Sequence, residues 1–141
     1  MDNPAHSKKR VLEQAAQLLN RGHEAAQTEA IFECLLERER LGSTGLADGV
    51  ALPHARIAGI TESCGAFIRL QQAVDFDSLD KQPVDLVFAL IVPKEATQEH
   101  LQLLSQLAQL FHQEEVRSQL RRADLAQIQQ IFDGLMANHV A

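Results

Sequence analysis

The chain has 141 residues, enough for one compact domain with a substantial hydrophobic core. Its residues are 45% hydrophobic and 23% charged, as in ordinary soluble proteins, and its net charge of −6 argues against general nucleic-acid binding. No apolar run approaches the roughly 18 residues of a membrane-spanning helix and the polar N-terminus has no signal-peptide core, so we expect a cytoplasmic protein without stable membrane association.

Two helices are predicted at the front of the chain. Ser7 is suited to cap the first helix, whose apolar residues recur with helical spacing until Gly22 ends it. Thr28 can cap the second helix, which Gly42 stops. The segment from Gly42 to Gly45 is then predicted to be a turn.

Three apolar runs predict strands. Residues 50–54 are apolar until the histidine, which predicts a short strand running into a loop, and residues 65–70 predict a second strand. Residues 84–92 are almost continuously apolar, which is typical of a central strand covered on both faces. In the polar segment between the last two strands, Phe76 and Leu79 are predicted to anchor the chain to the core.

The C-terminal part is predicted to be helical. Thr97 can cap a long third helix with a wide apolar face, and a last helix is predicted to follow Asp124. Helices and strands therefore alternate along the chain, which predicts a single α/β domain layered around one sheet.

One histidine has a setting that suits phosphoryl chemistry. His54 follows the first predicted strand, at the kind of position where α/β proteins carry functional residues. A neutral imidazole can attack phosphorus, and Arg56 can meet phosphoryl oxygens with its guanidinium fork. On spacing alone, a loop histidine with a structural hydrogen bond explains the same pattern.

Two further features can contribute to the same pocket. His100 falls in the first turn of the third predicted helix, where free N–H groups and the helix dipole favour anions. Ser43 and Thr44 lie between two glycines, and their hydroxyls can line a phosphate pocket. Each feature also has a structural explanation: His100 as a surface residue, and the Gly-Ser-Thr-Gly turn as a helix stop. The turn is not a P-loop, because the Gly-Lys-Ser/Thr sequence is missing.

The remaining polar and sulfur-bearing residues have structural interpretations. Cys34 and Cys64 show no metal-ligand spacing, so we predict reduced core thiols. Residues 8–10 and 121–122 are basic and are predicted to be solvated helix faces, and the aspartates within 75–85 are predicted to be solvated loop residues.

Four segments in this order resemble the EIIA domains of the fructose/mannitol class of the phosphotransferase system. These are Arg38–Gly45 (RERLGSTG), Gly49–Arg56 (GVALPHAR), Phe76–Pro93 (FDSLDKQPVDLVFALIVP) and Gln98–Leu104 (QEHLQLL). The third segment is most similar to the nitrogen-regulatory branch of the family. The resemblance implies a mixed β-sheet flanked by helices on both faces, within one domain over residues 1–141.

The same resemblance implies a role for each candidate site residue. His54 is the expected phosphorylated residue, through Nε2, and His100 the second active-site histidine that orients or stabilises the phosphohistidine. Arg56 occupies the basic position after the active histidine, and Ser43 and Thr44 match the small polar turn of the phosphate pocket. No metal and no organic cofactor are expected.

The implied activity is that of a phosphotransferase component. The expected donor is an HPr-like phosphocarrier, NPr in the nitrogen branch, supplied by an enzyme I and ultimately by phosphoenolpyruvate. Phosphorylation would then set the state in which the protein meets its regulatory targets. Two departures from the family are evident: Ala55 stands where relatives often have Gly, and only residues 1–6 precede the first helix where relatives usually carry a longer segment.

Three alternatives remain open. A sugar-specific EIIA would pass the phosphoryl group to the EIIB domain of a membrane permease. A protein-binding module would act through contacts alone, without phosphorylation. A metal hydrolase using His54 and His100 is the third alternative, although the sequence offers no third ligand at a favourable spacing.

Overall fold

The fold is taken from a computed structural model, which describes residues 2–3, 7–20, 28–60, 62–95 and 98–137. For residues 2–3, 99–100, 125 and 134–137 only the backbone is described. The predicted roles of Gly22 as a helix stop and of Thr97 as a helix cap lie outside the described residues.

Five helices and five strands make up the described part of the chain. The helices are α1 (Lys8–Asn20), α2 (Thr28–Leu41), α3 (Gln98–His112), α4 (Glu114–Arg122) and α5 (Leu125–Ala137). The strands are β1 (Asp2–Asn3), β2 (Val50–Ala51), β3 (His54–Ile57), β4 (Cys64–Val74) and β5 (Val84–Pro93). They form one mixed sheet in the order β1-β4-β5-β2, with β3 also paired to β5. Of the strand pairs described above, β4–β5 is antiparallel and the others are parallel, so the predicted α/β fold with a mixed sheet is confirmed.

Strand β5 separates two hydrophobic layers. Ala89 and Ile91 belong to the layer formed with α1 and α2, whereas Phe88 and Leu90 belong to the layer formed with α3, α4 and α5. Side chains of a strand alternate between faces, so β5 needs apolar residues at nearly every position. The prediction of a central strand covered on both faces is confirmed. Over the described ranges, no helix has the length and apolarity to cross a membrane.

The predicted cap of α1 is present, and Asp124, after which the last helix is predicted to begin, caps α5. The Arg10 N–H donates to the Ser7 hydroxyl oxygen (3.1 Å) at the start of α1. At the start of α5, the Gln127 N–H donates to the Asp124 carboxylate (2.9 Å), and the Asp124 N–H donates back to the Gln127 side-chain oxygen (3.2 Å). These bonds satisfy backbone donors that a helix leaves free at its N-terminus.

The strand predicted at residues 50–54 is in fact two strands. Pro53 has no N–H to give to a sheet, so the ladder with β5 breaks between β2 and β3, and His54 begins a strand instead of ending one. Strand β4 runs from Cys64 to Val74 and is longer than predicted. The sequence patterns did not predict strand β1. They also did not predict α4 as a helix separate from α3.

The predicted anchoring role is correct for Phe76 and wrong for Leu79. Phe76 is fully buried, whereas Leu79 is 94% exposed. Asp77 and Lys81 both have positive φ angles, of 56° and 59°, and the chain therefore reverses tightly around Leu79. The reversal directs the leucine away from the core.

This difference has a measurable consequence for stability. Phe76→Ala is expected to lower the free energy of unfolding by about 3–5 kcal/mol, because it leaves a cavity in the core. Leu79→Ala is expected to change it by less than about 0.5 kcal/mol, because the side chain is already in water. Urea denaturation of the two variants measures both values, and equal losses would contradict the assignment.

Two basic residues predicted to be solvated instead form ion pairs. The Lys8 ammonium lies 2.8 Å from the carboxylate of the buried Glu39. The Arg121 guanidinium donates twice to the Asp85 carboxylate, at 2.9 and 3.0 Å. The first pair joins α1 to α2, and the second joins α4 to the start of β5. The patterns did not predict these pairs because their partners are 31 and more residues apart in the sequence.

Candidate functional site

His54 and Arg56 lie on the same face of β3. His54 pairs with Leu90 of β5 and Arg56 pairs with Val92, while Ala55 between them points into the opposite hydrophobic layer. This arrangement follows from the two-residue period of a strand. It places the histidine and the arginine at the sheet edge, on the side that α3 covers.

A groove of about 450 Å³ lies beside β3, between α2 and α3. It brings together Arg38 and Leu41 from α2, His54 and Arg56 from β3, and Leu101 and Leu104 from α3. Cys34 and Glu37 of α2 also line it, so the described part of the groove has largely apolar walls, one imidazole, two guanidinium groups and one carboxylate. Such a mixture suits an anionic group carried by a protein partner.

A backbone hydrogen bond determines which nitrogen of His54 carries the proton. The ring Nδ1 lies 2.8 Å from the Leu52 carbonyl oxygen, which can only accept. Nδ1 therefore carries the hydrogen in the neutral ring, and Nε2 retains its lone pair. The protonated ring can form the same bond, so this contact alone does not set the charge of the histidine.

Burial lowers the pKa of His54 below its ordinary value of 6.5. The hydrogen bond to Leu52 raises the pKa, the charge of Arg38 lowers it, and the charge of Glu39 raises it. The net direction is downward, so the ring is mostly neutral at pH 7. A neutral ring with a free Nε2 can act as a nucleophile.

Arg38 is a candidate site residue that the sequence patterns did not single out. It is half-buried, lines the groove, and donates a hydrogen bond from Nη1 to the Gly42 carbonyl (2.9 Å). That bond holds the guanidinium at the C-terminal end of α2. Arg38 could have been identified from its place in the first motif. It lies one helical turn before Leu41, and both residues line the groove.

The hydroxyls of Ser43 and Thr44 have partners inside the protein. The Ser43 hydroxyl donates to the Phe76 carbonyl (2.6 Å) and accepts from the Gly45 N–H (3.0 Å). The Thr44 hydroxyl is buried and donates to the Glu39 carboxylate. Neither residue lines the groove. Their role as phosphate ligands stays a prediction, and these contacts give the two hydroxyls a structural role.

His100 lies in the first turn of α3, and its side chain is outside the described part of the structure. The next residue, Leu101, lines the groove, so this end of α3 borders the site. The expected role of His100 beside the phosphohistidine stays a prediction.

The two cysteines have no disulfide partner, and their surroundings favour the uncharged thiol. Cys34 and Cys64 are free, half-buried thiols, and burial raises the pKa of both; nearby Glu37 and Glu33 raise that of Cys34 further. Within the described ranges there is no group of three or more histidine, cysteine, aspartate or glutamate residues that could hold a metal ion.

The chain is similar to known proteins over most of its length. Residues 1–134 match the family profile described as "Phosphoenolpyruvate-dependent sugar phosphotransferase system, EIIA 2". A nitrogen regulatory protein of Pseudomonas aeruginosa is 48% identical over 124 residues, which are 88% of this chain and 80% of that protein. The crystal structure of nitrogen regulatory protein IIA-Ntr from Neisseria meningitidis has a TM-score of 0.83 and 48% identity, and covers 88% of this chain and 84% of its own.

The chain is also similar to a fructose-specific protein of the phosphotransferase system. The fructose-specific EIIABC component of Bacillus subtilis is 37% identical over 117 residues, which are 83% of this chain but only 18% of that longer protein. The resemblance carried by the four sequence motifs is therefore confirmed. This chain belongs to the EIIA type 2 family of the phosphoenolpyruvate-dependent sugar phosphotransferase system.

Proposed function

We propose that this protein is a nitrogen-regulatory EIIA component that accepts a phosphoryl group on His54 from an HPr-like carrier of the NPr type. The donor chain would begin with phosphoenolpyruvate and an enzyme I. The two relatives at 48% identity that carry the nitrogen regulatory name support this branch over the fructose relative at 37%. Control of target proteins by the phosphorylation state of His54 completes the proposal.

One observation carries the proposed chemistry: the hydrogen bond from His54 Nδ1 to the Leu52 carbonyl, which leaves Nε2 as the nucleophile. In the proposed step the Nε2 lone pair forms a bond to phosphorus. The bond between phosphorus and the donor imidazole breaks, and its electron pair returns to that ring. Each ring keeps its other N–H, so no proton has to be transferred.

The groups around the groove stabilise the transferred phosphoryl group. Arg38 and Arg56 both line the groove and supply positive charge toward the phosphoryl oxygens. The ring of His54 becomes positively charged when Nε2 binds phosphorus, and the Leu52 carbonyl stabilises that charge through Nδ1–H. Positioning and electrostatics are the main sources of catalysis in phosphoryl transfer.

The mouth of the groove is suited to a transient protein partner. Leu41 is 86% exposed and Leu101 is 54% exposed, so two large apolar side chains face solvent beside the histidine. Exposed apolar residues of this kind mark contact surfaces. Because a phosphoryl group on His54 would add negative charge to the same surface, a target could distinguish the two states.

Phosphorylation of the purified protein tests the proposal. With phosphoenolpyruvate, enzyme I and NPr, the protein is expected to gain one phosphate that is labile in acid and stable in base. His54→Ala is expected to abolish labelling, whereas His112→Ala, which removes an exposed histidine at the end of α3, is expected to retain it. Labelling that persists in His54→Ala would exclude this residue as the acceptor.

Two further measurements separate the alternatives. Rapid transfer from the phosphorylated protein to a fructose-type EIIB domain would favour sugar transport over regulation. Target binding that is the same for the unphosphorylated protein, the phosphorylated protein and His54→Ala would favour a module that works through contacts alone.

A further inference from the structure

A buried carboxylate lies in the last turn of α2. Glu39 is only 6% exposed, and the Lys8 ammonium lies 2.8 Å from its Oε2. Burial of a carboxylate costs free energy, and a negative charge near a helix C-terminus is opposed by the helix dipole. The contacts of Glu39 therefore indicate which part of the structure the buried carboxylate stabilises.

Glu39 holds the loop that follows α2. Its Oε1 accepts a hydrogen bond from the Thr44 N–H (3.0 Å) and another from the Thr44 hydroxyl. The Thr44 carbonyl in turn accepts from the Leu52 N–H (3.0 Å). Leu52 is the residue whose own carbonyl receives the Nδ1–H of His54, at 2.8 Å.

These contacts form one continuous chain from α1 to the imidazole. It runs from Lys8 to Glu39, then through Thr44 and Leu52 to His54. Leu52 lies in the break between β2 and β3, before a proline that gives no hydrogen to the sheet. The break is held by the bond from the Leu52 N–H to the Thr44 carbonyl and by the bond from the Leu90 N–H to the Pro53 carbonyl (2.9 Å), and the first of these links it to the loop after α2.

We propose that Glu39, paired with Lys8, is a positioning residue for His54: through Thr44 and Leu52 it places the carbonyl that holds Nδ1–H and keeps Nε2 free to accept phosphate. Glu39 does not touch the phosphoryl group in this scheme. The inference rests on the proposed function only in that phosphate acceptance is the activity it serves.

The electrostatics of the site are consistent with this role. Among the described residues, the charged groups around the imidazole are Arg38, Glu39 and Glu37 from α2 and Arg56 from β3, and the residues that α3 contributes to the groove are apolar. Arg38 lowers the pKa of His54 and Glu39 raises it. Neutralising Glu39 should therefore lower the pKa of His54. This shift reports the effect of the Glu39 charge, and the tautomer of His54 reports the effect of the Glu39 hydrogen bonds.

Two substitutions separate geometry from charge. Glu39→Gln keeps an oxygen that can accept from the Thr44 N–H but removes the charge, whereas Glu39→Ala removes both. Glu33→Gln removes an exposed carboxylate from the same helix and serves as the matched control. For each variant, ¹⁵N spectra of the imidazole in the unphosphorylated protein report the tautomer and pKa of His54, and rapid-quench kinetics report phosphate acceptance from NPr.

The expected pattern distinguishes positioning from a merely structural role. Glu39→Gln is expected to keep the Nδ1–H tautomer, with a lower His54 pKa and a rate near that of wild type. Glu39→Ala is expected to show a mixture of tautomers and to accept phosphate about 10- to 100-fold more slowly, the loss that misplacement by about 1 Å can cause. A folded Glu39→Ala with the wild-type tautomer and rate would overturn the proposal.

A second variant covers the case in which Glu39→Ala does not fold. Lys8→Met changes the first residue of α1 and leaves the carboxylate without its cation. It is expected to shift the tautomer and rate in the same direction by a smaller factor, and an unchanged tautomer and rate would overturn the proposal. The imidazole spectra need no phosphorylation, so failure of the positioning role can be told apart from failure of the proposed function.

Discussion

Arg38→Gln is expected to lower the rate of phosphate acceptance by about 100- to 1,000-fold, the loss that follows removal of one donor from a transition-state site. The guanidinium lies beside His54 in the groove and is held in place by its bond to the Gly42 carbonyl. Glutamine is neutral and shorter, so it offers neither the charge nor the fork that matches phosphoryl oxygens. Arg40→Gln removes an exposed arginine two residues later and is expected to leave the rate unchanged.

The pH dependence of the same variant separates two causes of the loss. Because Arg38 lowers the pKa of His54, its removal raises that pKa, and more of the imidazole is protonated at pH 7. Raising the pH should recover the part of the loss that comes from protonation, but not the part that comes from the missing guanidinium. Full recovery at high pH would show that Arg38 acts only through the pKa of His54.

Gly49→Ala is expected to lower the free energy of unfolding by about 1–3 kcal/mol: about 1–2 from backbone strain and up to about 1 from displacement of an exposed ion pair. Gly49 has a φ of +82°, and an added Cβ would lie 2.7 Å from Arg121 Nη2 and 2.8 Å from Asp85 Oδ1. Its carbonyl also accepts from the N–H groups of Asp85 and Leu86. The glycine therefore joins the loop before β2 to the start of β5, ahead of the histidine strand.

Gly59→Ala is the matched control for Gly49→Ala. Gly59 has a similar φ of +88°, but an added Cβ would meet nothing within 4 Å. Gly59→Ala is therefore expected to lower the free energy of unfolding only through backbone strain, by about 1–2 kcal/mol. The difference between the two variants in urea denaturation measures the cost of the contacts with Arg121 and Asp85. Equal losses would contradict a steric role for that ion pair.

Much of the fold could be predicted because local chemistry and the tertiary structure agree. Ser7 caps α1 as its short polar side chain predicts, the last helix begins after Asp124 as expected, and residues 84–92 form the doubly covered strand that their apolar run predicts. The misplaced anchor Leu79 shows the limit of such arguments. An isolated leucine in a polar segment has no period, so only the turn geometry around it decides whether it meets the core.

The candidate site was predicted in part for a similar reason. His54 and Arg56 stand two residues apart in one motif, and the alternation of a strand is enough to place them on one face. Arg38 and Glu39 were missed because their relation to His54 depends on how the end of α2 packs against β3. The serine and threonine between the two glycines stay predicted phosphate ligands, and only the tertiary structure shows that their hydroxyls bond to Phe76 and Glu39.

The sequence alone determined the family, the layered α/β class and the histidine expected to carry phosphate, because short motifs and residue periods are local properties of the chain. Only the tertiary structure showed the hydrogen bond that leaves Nε2 of His54 free, which arginine of α2 reaches the groove, and what the buried Glu39 holds. Those properties depend on contacts between residues distant in sequence, such as Lys8 with Glu39 and α2 with β3, and a local pattern does not encode the distance between them.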